Sequence, residues 1–285
     1  MKKLVMILAV VFLMSACSDA SVKVSKSSTA LITVGTETIT KGKLFSTFMS
    51  RYPSETVLKM ATRNILAKVV PVDAIIKASA DEALASMKNT WKTDFLTFLT
   101  TYGFASEKEY YDNDLMVTAQ TNALTSKYMT DNYDLIVTTY LPRKVRVIQT
   151  STTENAVKAI AEIKNGANFE ATAVKYSSAS YKGAEQIVTT QSTLFTAALK
   201  FATERTVPGL TASPVEDTTN KVFYVVQVTD ADPSKFKDAL LTNLKADKKF
   251  QEIALLSYFK AGKFKVYDKT IYDEFKQNFA AYLNQ

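Results

Sequence analysis

Residues 156–180 read AVKAIAEIKNGANFEATAVKYSSAS, and the fold turns on how this stretch divides. Ala156, Ala159, Ile160 and Ile163 share one face at helical spacing. Thr152 or Thr153 can cap that helix, and Asn165-Gly166 ends it, because glycine accepts the left-handed backbone of a helix terminus. Phe169 to Tyr176 reads as a second short helix and Thr193 to Phe201 as a third. Two β-prone runs bracket these helices. In the first, Val145, Val147 and Gln149 alternate with Arg146 and Ile148. The second, Val222-Phe223-Tyr224-Val225-Val226-Gln227-Val228, is apolar enough for the centre of a sheet. Residues 141–230 therefore read as a small α+β domain, with strands at its two ends and helices between.

Outside that stretch the pattern is helical on both sides. Ala30 to Ile39 reads as a hairpin turning near Gly35, and Thr40 caps a helix carrying Leu44, Phe45 and Phe48. From Ser54 to about Asp134 apolar residues recur at helical spacing. Trp91, Phe95, Phe98 and Leu99 fall on one helical face, which reads as core packing, and Gly103 ends that helix. Ser106 caps the next, with Glu107 and Glu109 in the first turn, where the helix dipole favours anions. Asp232-Pro233-Ser234 opens a long helix through Phe236, Leu240, Leu244, Phe250 and Phe259 to Gly262. Phe264-Lys265-Val266 reads as a strand, and Ile271, Phe275 and Phe279 mark a final helix. The simplest architecture is α+β: one helical domain built from 30–140 and 231–285, with 141–230 inserted.

The first residues carry an address. Lys2 and Lys3 precede an apolar run from Leu4 to Met14, then Ser15 and Ala16, the pattern of a secretory signal over 1–16. The run is about half the ~20 residues a spanning helix needs. Met14-Ser15-Ala16-Cys17 resembles a bacterial lipobox, which implies cleavage before Cys17, the only cysteine, and lipidation of its sulfur. Acyl chains would hold the protein at the membrane, each buried methylene contributing ~0.8 kcal/mol. Serine-rich residues 17–29 read as a flexible tether. The chain has no histidine, which removes imidazole-dependent triads and His-ligated zinc. With the one thiol committed to lipid, no cofactor or metal is expected. The net charge of +7 is spread thinly, without the dense basic and aromatic clusters that nucleic-acid binding needs.

The architecture and lipobox together resemble the PrsA-type foldase lipoproteins of Gram-positive bacteria. In these a helical chaperone domain, related to SurA and trigger factor, carries an inserted parvulin-type peptidyl-prolyl isomerase domain. VGTETITKGKL (Val34 to Leu44) and KFKVYDKTIYDEF (Lys263 to Phe275) are similar to the family's opening and closing segments. The 156–180 stretch, Phe195, Ala198 and Ser213-Pro214-Val215 are similar to parvulin landmarks. The resemblance implies an extracytoplasmic, membrane-tethered foldase whose partners are unfolded exported polypeptides, with homodimerisation left open. It also implies a degenerate pocket. Val147 stands where the first parvulin histidine is expected. The second falls on Tyr224 or, by a different count, Val222. Ala179 replaces the acidic residue or cysteine, Gln191 replaces a methionine, and Phe195 is retained. Weak or absent isomerase activity is the expectation. An atypical isomerase using Tyr224 is the first alternative. A solute-binding lipoprotein is the second, but it needs strand–helix alternation in two lobes.

Overall fold

A computed structural model describes residues 23–51, 53–193 and 196–283. The leader 1–16, Cys17 and the start of the tether lie outside the described residues, as does Phe195. The chain is mixed α+β and divides into two compact units, residues 1–124 with 252–285 and residues 125–251.

The first unit opens on an antiparallel hairpin of β1 (Ala30–Val34) and β2 (Glu37–Thr40), which places Ile32 opposite Ile39. Gly35 makes the turn at φ +60°, a backbone that side-chain-bearing residues resist. Thr40 caps α1 (Lys41–Met49) by accepting from the Lys43 N–H. Part of the expected tether is ordered against this helix start: the Gly42 N–H donates to the Ser27 carbonyl at 2.8 Å, and Lys41 Nζ to the Ser25 carbonyl at 3.1 Å.

Helices α2 (Pro53–Val69), α3 (Ala74–Trp91) and α4 (Phe95–Thr101) follow. The single helix expected through Trp91 and Leu99 is in fact two. Lys92 adopts φ +45° and a 3₁₀ turn spans Lys92–Asp94. The aromatic rings still converge, with Trp91 and Phe98 centroids 5.1 Å apart and Phe98 and Tyr110 at 5.5 Å. Ser106 caps α5 (Glu107–Tyr110), which runs through a π-helical turn at Tyr111–Leu115 into α6 (Met116–Asp131).

The second unit contains the end of α6 and α7 (Tyr133–Tyr140). Helix α7 stops on Leu141, which is left-handed at φ +45°, and Pro142 cannot continue it. The sheet is built from β3 (Arg143–Thr150), β4 (Gln186–Val188), β5 (Gly209–Leu210), β6 (Val215–Asp217) and β7 (Val222–Asp230), in the order β4-β3-β7-β5 with β6 also on β7. Every pairing is antiparallel. Helices α8 (Thr153–Lys164), α9 (Phe169–Tyr176) and α10 (Thr196–Glu204) lie between strands, as read from sequence. The short strands β4, β5 and β6 come in addition. Of the two threonines proposed as the cap of α8, Thr152 fills the role, accepting from the Asn155 N–H at 3.3 Å.

The second unit also takes in residues on both sides of 141–230: Phe250 packs tilted against Tyr128 and edge-on against Tyr140, and the Tyr133 hydroxyl donates to the Pro233 carbonyl. The long helix expected from Asp232 to Gly262 is interrupted. A 3₁₀ turn at Pro233–Phe236 leads into α11 (Lys237–Ala246), and α12 (Lys248–Ala261) starts afresh. Asp247 causes the break: it is extended, and its carboxylate accepts from the Lys249 N–H at 2.9 Å as an N-cap does.

Helix α12 returns the chain to the first unit, where α13 (Lys269–Asn278) closes the fold with Asp268 as its cap. Residues Phe264–Val266 are not a strand, because no described strand pairs with them; they pack as irregular chain. Phe259, Phe275 and Tyr282 form a buried aromatic core together with Val57, Ala61 and Ile65 of α2. The Glu274 carboxylate accepts from the Ser54 N–H at 3.2 Å. Helix α2 and the 255–283 segment thus meet in one core.

Candidate functional site

The site follows from the pleat of β3 and β7. Alternate residues of a strand face opposite sides, so each strand feeds two cores. Register pairs Val147 with Val226 and Gln149 with Tyr224. One face carries Ile148 and Val225, packed under α8 and α9 with Ala156, Ile160, Phe169 and Ala173. The other carries Val145, Val147, Tyr224, Val226 and Val228, packed under α10 with Ala198, Leu199 and Ala202. Val147 and Tyr224 therefore share one face, one pair apart, at 2% and 5% exposure. Val222, the other candidate for the second histidine position, packs at the margin of the same cluster.

The face has an apolar floor and a polar end. Val145, Val147, Val188, Ala198, Leu199, Ala202 and Val226 pack against one another with no room for a water molecule between them. At the polar end, Gln149 stands opposite Tyr224, and the Tyr181 hydroxyl donates to Gln149 Oε1 at 3.4 Å. Burial pushes the Tyr224 phenol up from its ordinary value of 10.0, and the Asp217 carboxylate adds to the effect. Burial likewise pushes the Tyr181 phenol up, with the Tyr224 phenol nearby contributing. Both phenols are neutral hydrogen-bonding groups near pH 7, not bases.

The remaining predicted residues sit on loops. Ala179 is half-buried and its N–H donates to Ser177 Oγ at 3.2 Å; its methyl group has no chemistry to offer. Gln191 lies in a turn, with its N–H donating to Thr189 Oγ1 at 3.2 Å. The loop carrying Ala179 is fastened to β3 twice, since both the N–H and the hydroxyl of Ser178 donate to the Gln149 carbonyl, at 2.7 and 3.1 Å. Gly183 turns it back at φ +73°, where a side chain would collide with Ala173.

Gln149 and Tyr181 were not among the residues the sequence singled out. The β3 alternation already put Gln149 on the face of Val147; nothing in the local pattern marked Tyr181. Among the described residues no three His, Cys, Asp or Glu side chains gather to hold a metal ion.

No protein-family model matches the sequence, and neither does any curated protein. Solved structures do match. The crystal structure of the peptidylprolyl isomerase PrsA from Bacillus cereus is similar with a TM-score of 0.50 and 17% identity, over 89% of this chain and 99% of that one. The foldase protein PrsA from Streptococcus pneumoniae matches at 18% identity with a TM-score of 0.42, over 87% of this chain and 98% of that one. The Bacillus cereus likeness is one of fold: this chain has a PrsA-like fold over most of its length.

Proposed function

We propose that this protein is a lipid-anchored extracytoplasmic foldase that shelters newly exported, unfolded polypeptides, with weak or absent prolyl isomerase activity. The observation that carries the reading is a PrsA-like fold whose sheet face holds Val147 and Tyr224 and no imidazole. The anchor rests on the lipobox-like Met14-Ser15-Ala16-Cys17. No helix among the described residues is long and apolar enough to cross a membrane. Exposed apolar side chains on the first unit, among them Ile32, Leu44, Met60, Ile75 and Leu96, suit promiscuous contact with unfolded chains.

The physical demand on an isomerase explains the second half of the proposal. Prolyl isomerisation breaks no covalent bond, and its uncatalysed barrier is ~18–20 kcal/mol from amide resonance. Catalysis requires groups that hold the twisted amide better than the planar one. Val147 has no polar atom for that role, and Ala179 has none in its side chain.

The test is aggregation of a denatured secreted protein, with and without the chain from Ser18 onward. Suppression at equimolar ratio is expected. No suppression, and no binding of the denatured protein, would overturn the foldase reading. A second reading, an atypical isomerase, is favoured by one observation, the Gln149, Tyr181 and Tyr224 cluster at the polar end of the face. Magnetisation-exchange NMR on a proline peptide decides between them: cis–trans exchange accelerated to the level of a histidine-bearing relative would support the second reading.

A further inference from the structure

No residue of β1, β2 or α1 is buried, although these elements carry Leu31, Ile32, Val34, Ile39, Leu44 and Phe48. The hairpin is two-sided. Register sets Ile32 opposite Ile39 and Val34 opposite Glu37, and residues two apart share a side of the pleat, so these four stand together. Thr33 pairs with Thr38 on the other side. A two-stranded hairpin is marginally stable at best in water and gains from a layer that covers its apolar side. The charge around it has one sign: Lys23, Lys26, Lys41, Lys43 and Arg51 are all exposed, and Glu37 is the one acidic residue from 23 to 51. The chain that leads in is fastened to the start of α1. The Ser27 carbonyl accepts from the Gly42 N–H at 2.8 Å, the Thr29 carbonyl from the Lys41 N–H at 2.9 Å, and the Ser25 carbonyl from Lys41 Nζ at 3.1 Å. Residues 18–24 alone separate Cys17 from that fastening, and fully extended they reach at most ~29 Å.

We infer that the apolar side of this hairpin, with the lysines beside it, docks on the surface of the anionic bilayer that holds Cys17. The inference rests on the lipid-anchor part of the function proposed above. An element that lies in a membrane interface sinks apolar side chains at the headgroup boundary and sets cations against anionic lipid. Ile32, Val34 and Ile39 supply the first, and Lys23, Lys26, Lys41 and Lys43 the second. The short link to the lipid keeps the hairpin at high effective concentration beside the bilayer, so a weak contact suffices. A second copy fits less well, because a two-fold interface would set the same cations against each other. An unfolded client has no fixed excess of negative charge to match them. The anchor thereby does more than retain the protein: it lays the hairpin on the membrane and leaves Met60, Ile75 and Leu96 of α2, α3 and α4 to clients.

The experiment takes the chain from Cys17 onward and couples its one thiol to a maleimide lipid in vesicles of phosphatidylglycerol and phosphatidylcholine in equal parts. Amide hydrogen exchange over residues 30–48 is compared with that of the uncoupled chain without vesicles. Coupling is expected to slow exchange at the hairpin by at least about tenfold, and by much less on phosphatidylcholine alone. Ile32→Ser with Val34→Ser should abolish the slowing while the protein stays coupled, and Lys23→Glu with Lys26→Glu should weaken it. Unchanged exchange on the anionic vesicles overturns the inference, as does slowing that survives in the folded serine variant. Should the serine variant not fold, the lysine variant carries the test, and undiminished slowing there is the overturning result. Slowing in the uncoupled chain that grows with its concentration would assign the face to a second copy, and slowing that requires an added denatured protein would assign it to clients; either overturns the inference. Because the coupling is chemical, the lipid-anchor reading fails by a different signal, the absence of labelled palmitate on Cys17 in cells.

Discussion

Two of the antiparallel β-pairs, β1–β2 and β3–β7, are built from similar residues and meet opposite fates. In the second unit β3 and β7 bury Val145, Val147, Ile148, Val225, Val226 and Val228 almost completely. In the first unit β1 leaves Leu31, Ile32 and Val34 in solvent, Ile32 at 55% exposure and Val34 at 71%. β-Branched composition and antiparallel pairing are common to both. The difference lies in the covering layers: α8 and α9 lie on one face of the central pair and α10 on the other. The β1–β2 hairpin is held mainly by its own ladder, the Gly35 turn and the bonds to the start of α1. Strand-forming sequence makes strands; helices arriving from elsewhere in the chain make cores.

Placing the same charge in each pair tests this contrast most severely. Val225→Asp removes a fully buried side chain worth ~1.5–3 kcal/mol and puts a carboxyl group where no water reaches. The expected loss exceeds about 4 kcal/mol, a large part of a typical domain's stability, and should unfold the second unit. Val34→Asp is expected to stay within about 0.5 kcal/mol of the wild type, as surface changes do. Urea denaturation followed by circular dichroism measures both. Unfolding by Val34→Asp would break the contrast, for it would mean the hairpin's apolar face is covered in solution.

The first unit has a core of its own, away from the hairpin. Phe275 is fully buried, with the Phe264 ring 5.5 Å away, in the cluster that contains Phe259 and Tyr282. Phe275→Ala should cost about 3–5 kcal/mol through lost burial and the cavity left behind. A cost below about 1 kcal/mol in the same denaturation experiment would mean that this core contributes little and that the first unit is loosely packed.

A smaller effect is expected at the loop carrying Tyr181. Gly183 sits at φ +73°, and an added Cβ would lie 2.7 Å from the Ala173 Cβ of α9. Gly183→Ala pays the left-handed strain and must also push the loop off the helix, so about 2 kcal/mol is expected. The methyl signals of Val147 should move as well, because the same loop holds Tyr181 against their face. Loss of stability without any change on that face would separate the loop from the site.

These expectations also mark what local sequence reveals. The 169–176 helix emerged with its observed limits because Asn168 caps it and Gly166 isolates it from the helix before. The central strands were legible because β3 alternates over Val145, Val147 and Gln149 and β7 is apolar from Val222 to Val226. The edge strands β4, β5 and β6 were not, since two or three residues carry no period to read. The breaks at Lys92 and Asp247 escaped for a related reason: neither is glycine or proline, and the apolar spacing runs on across both. Phe264–Val266 has strand composition but no partner strand among the described residues, and pairing is a tertiary fact. Val147 and Tyr224 could be placed on one face by counting along their strands. Tyr181 could not, because its position depends on a clasp between residues 32 apart in the chain.

The smallest expected effect concerns how the sheet's edge is stitched to its centre, which the hairpin of the first unit has no counterpart for. The Glu185 carboxylate, just before β4, accepts from the Thr229 hydroxyl of β7 at 2.8 Å and pairs with Lys144 of β3 at 3.1 Å. Partial burial pushes this carboxyl up, but the bonds from Thr229 and Lys144 outweigh it and leave it below its ordinary 4.5. A carboxyl held lower in the folded than in the unfolded state binds fewer protons when folded. Its contribution is therefore fully present above pH 4.5 and is lost as pH falls through the lowered folded value. The melting temperature of the second unit should fall between about pH 5 and pH 3, and Glu185→Gln should flatten part of that slope. The side chain is about one-third exposed, so solvent screening keeps the effect modest. If Glu185→Gln melts in parallel with the wild type across that range, the edge is held by the backbone ladder alone, and the two β-pairs differ only in what covers them.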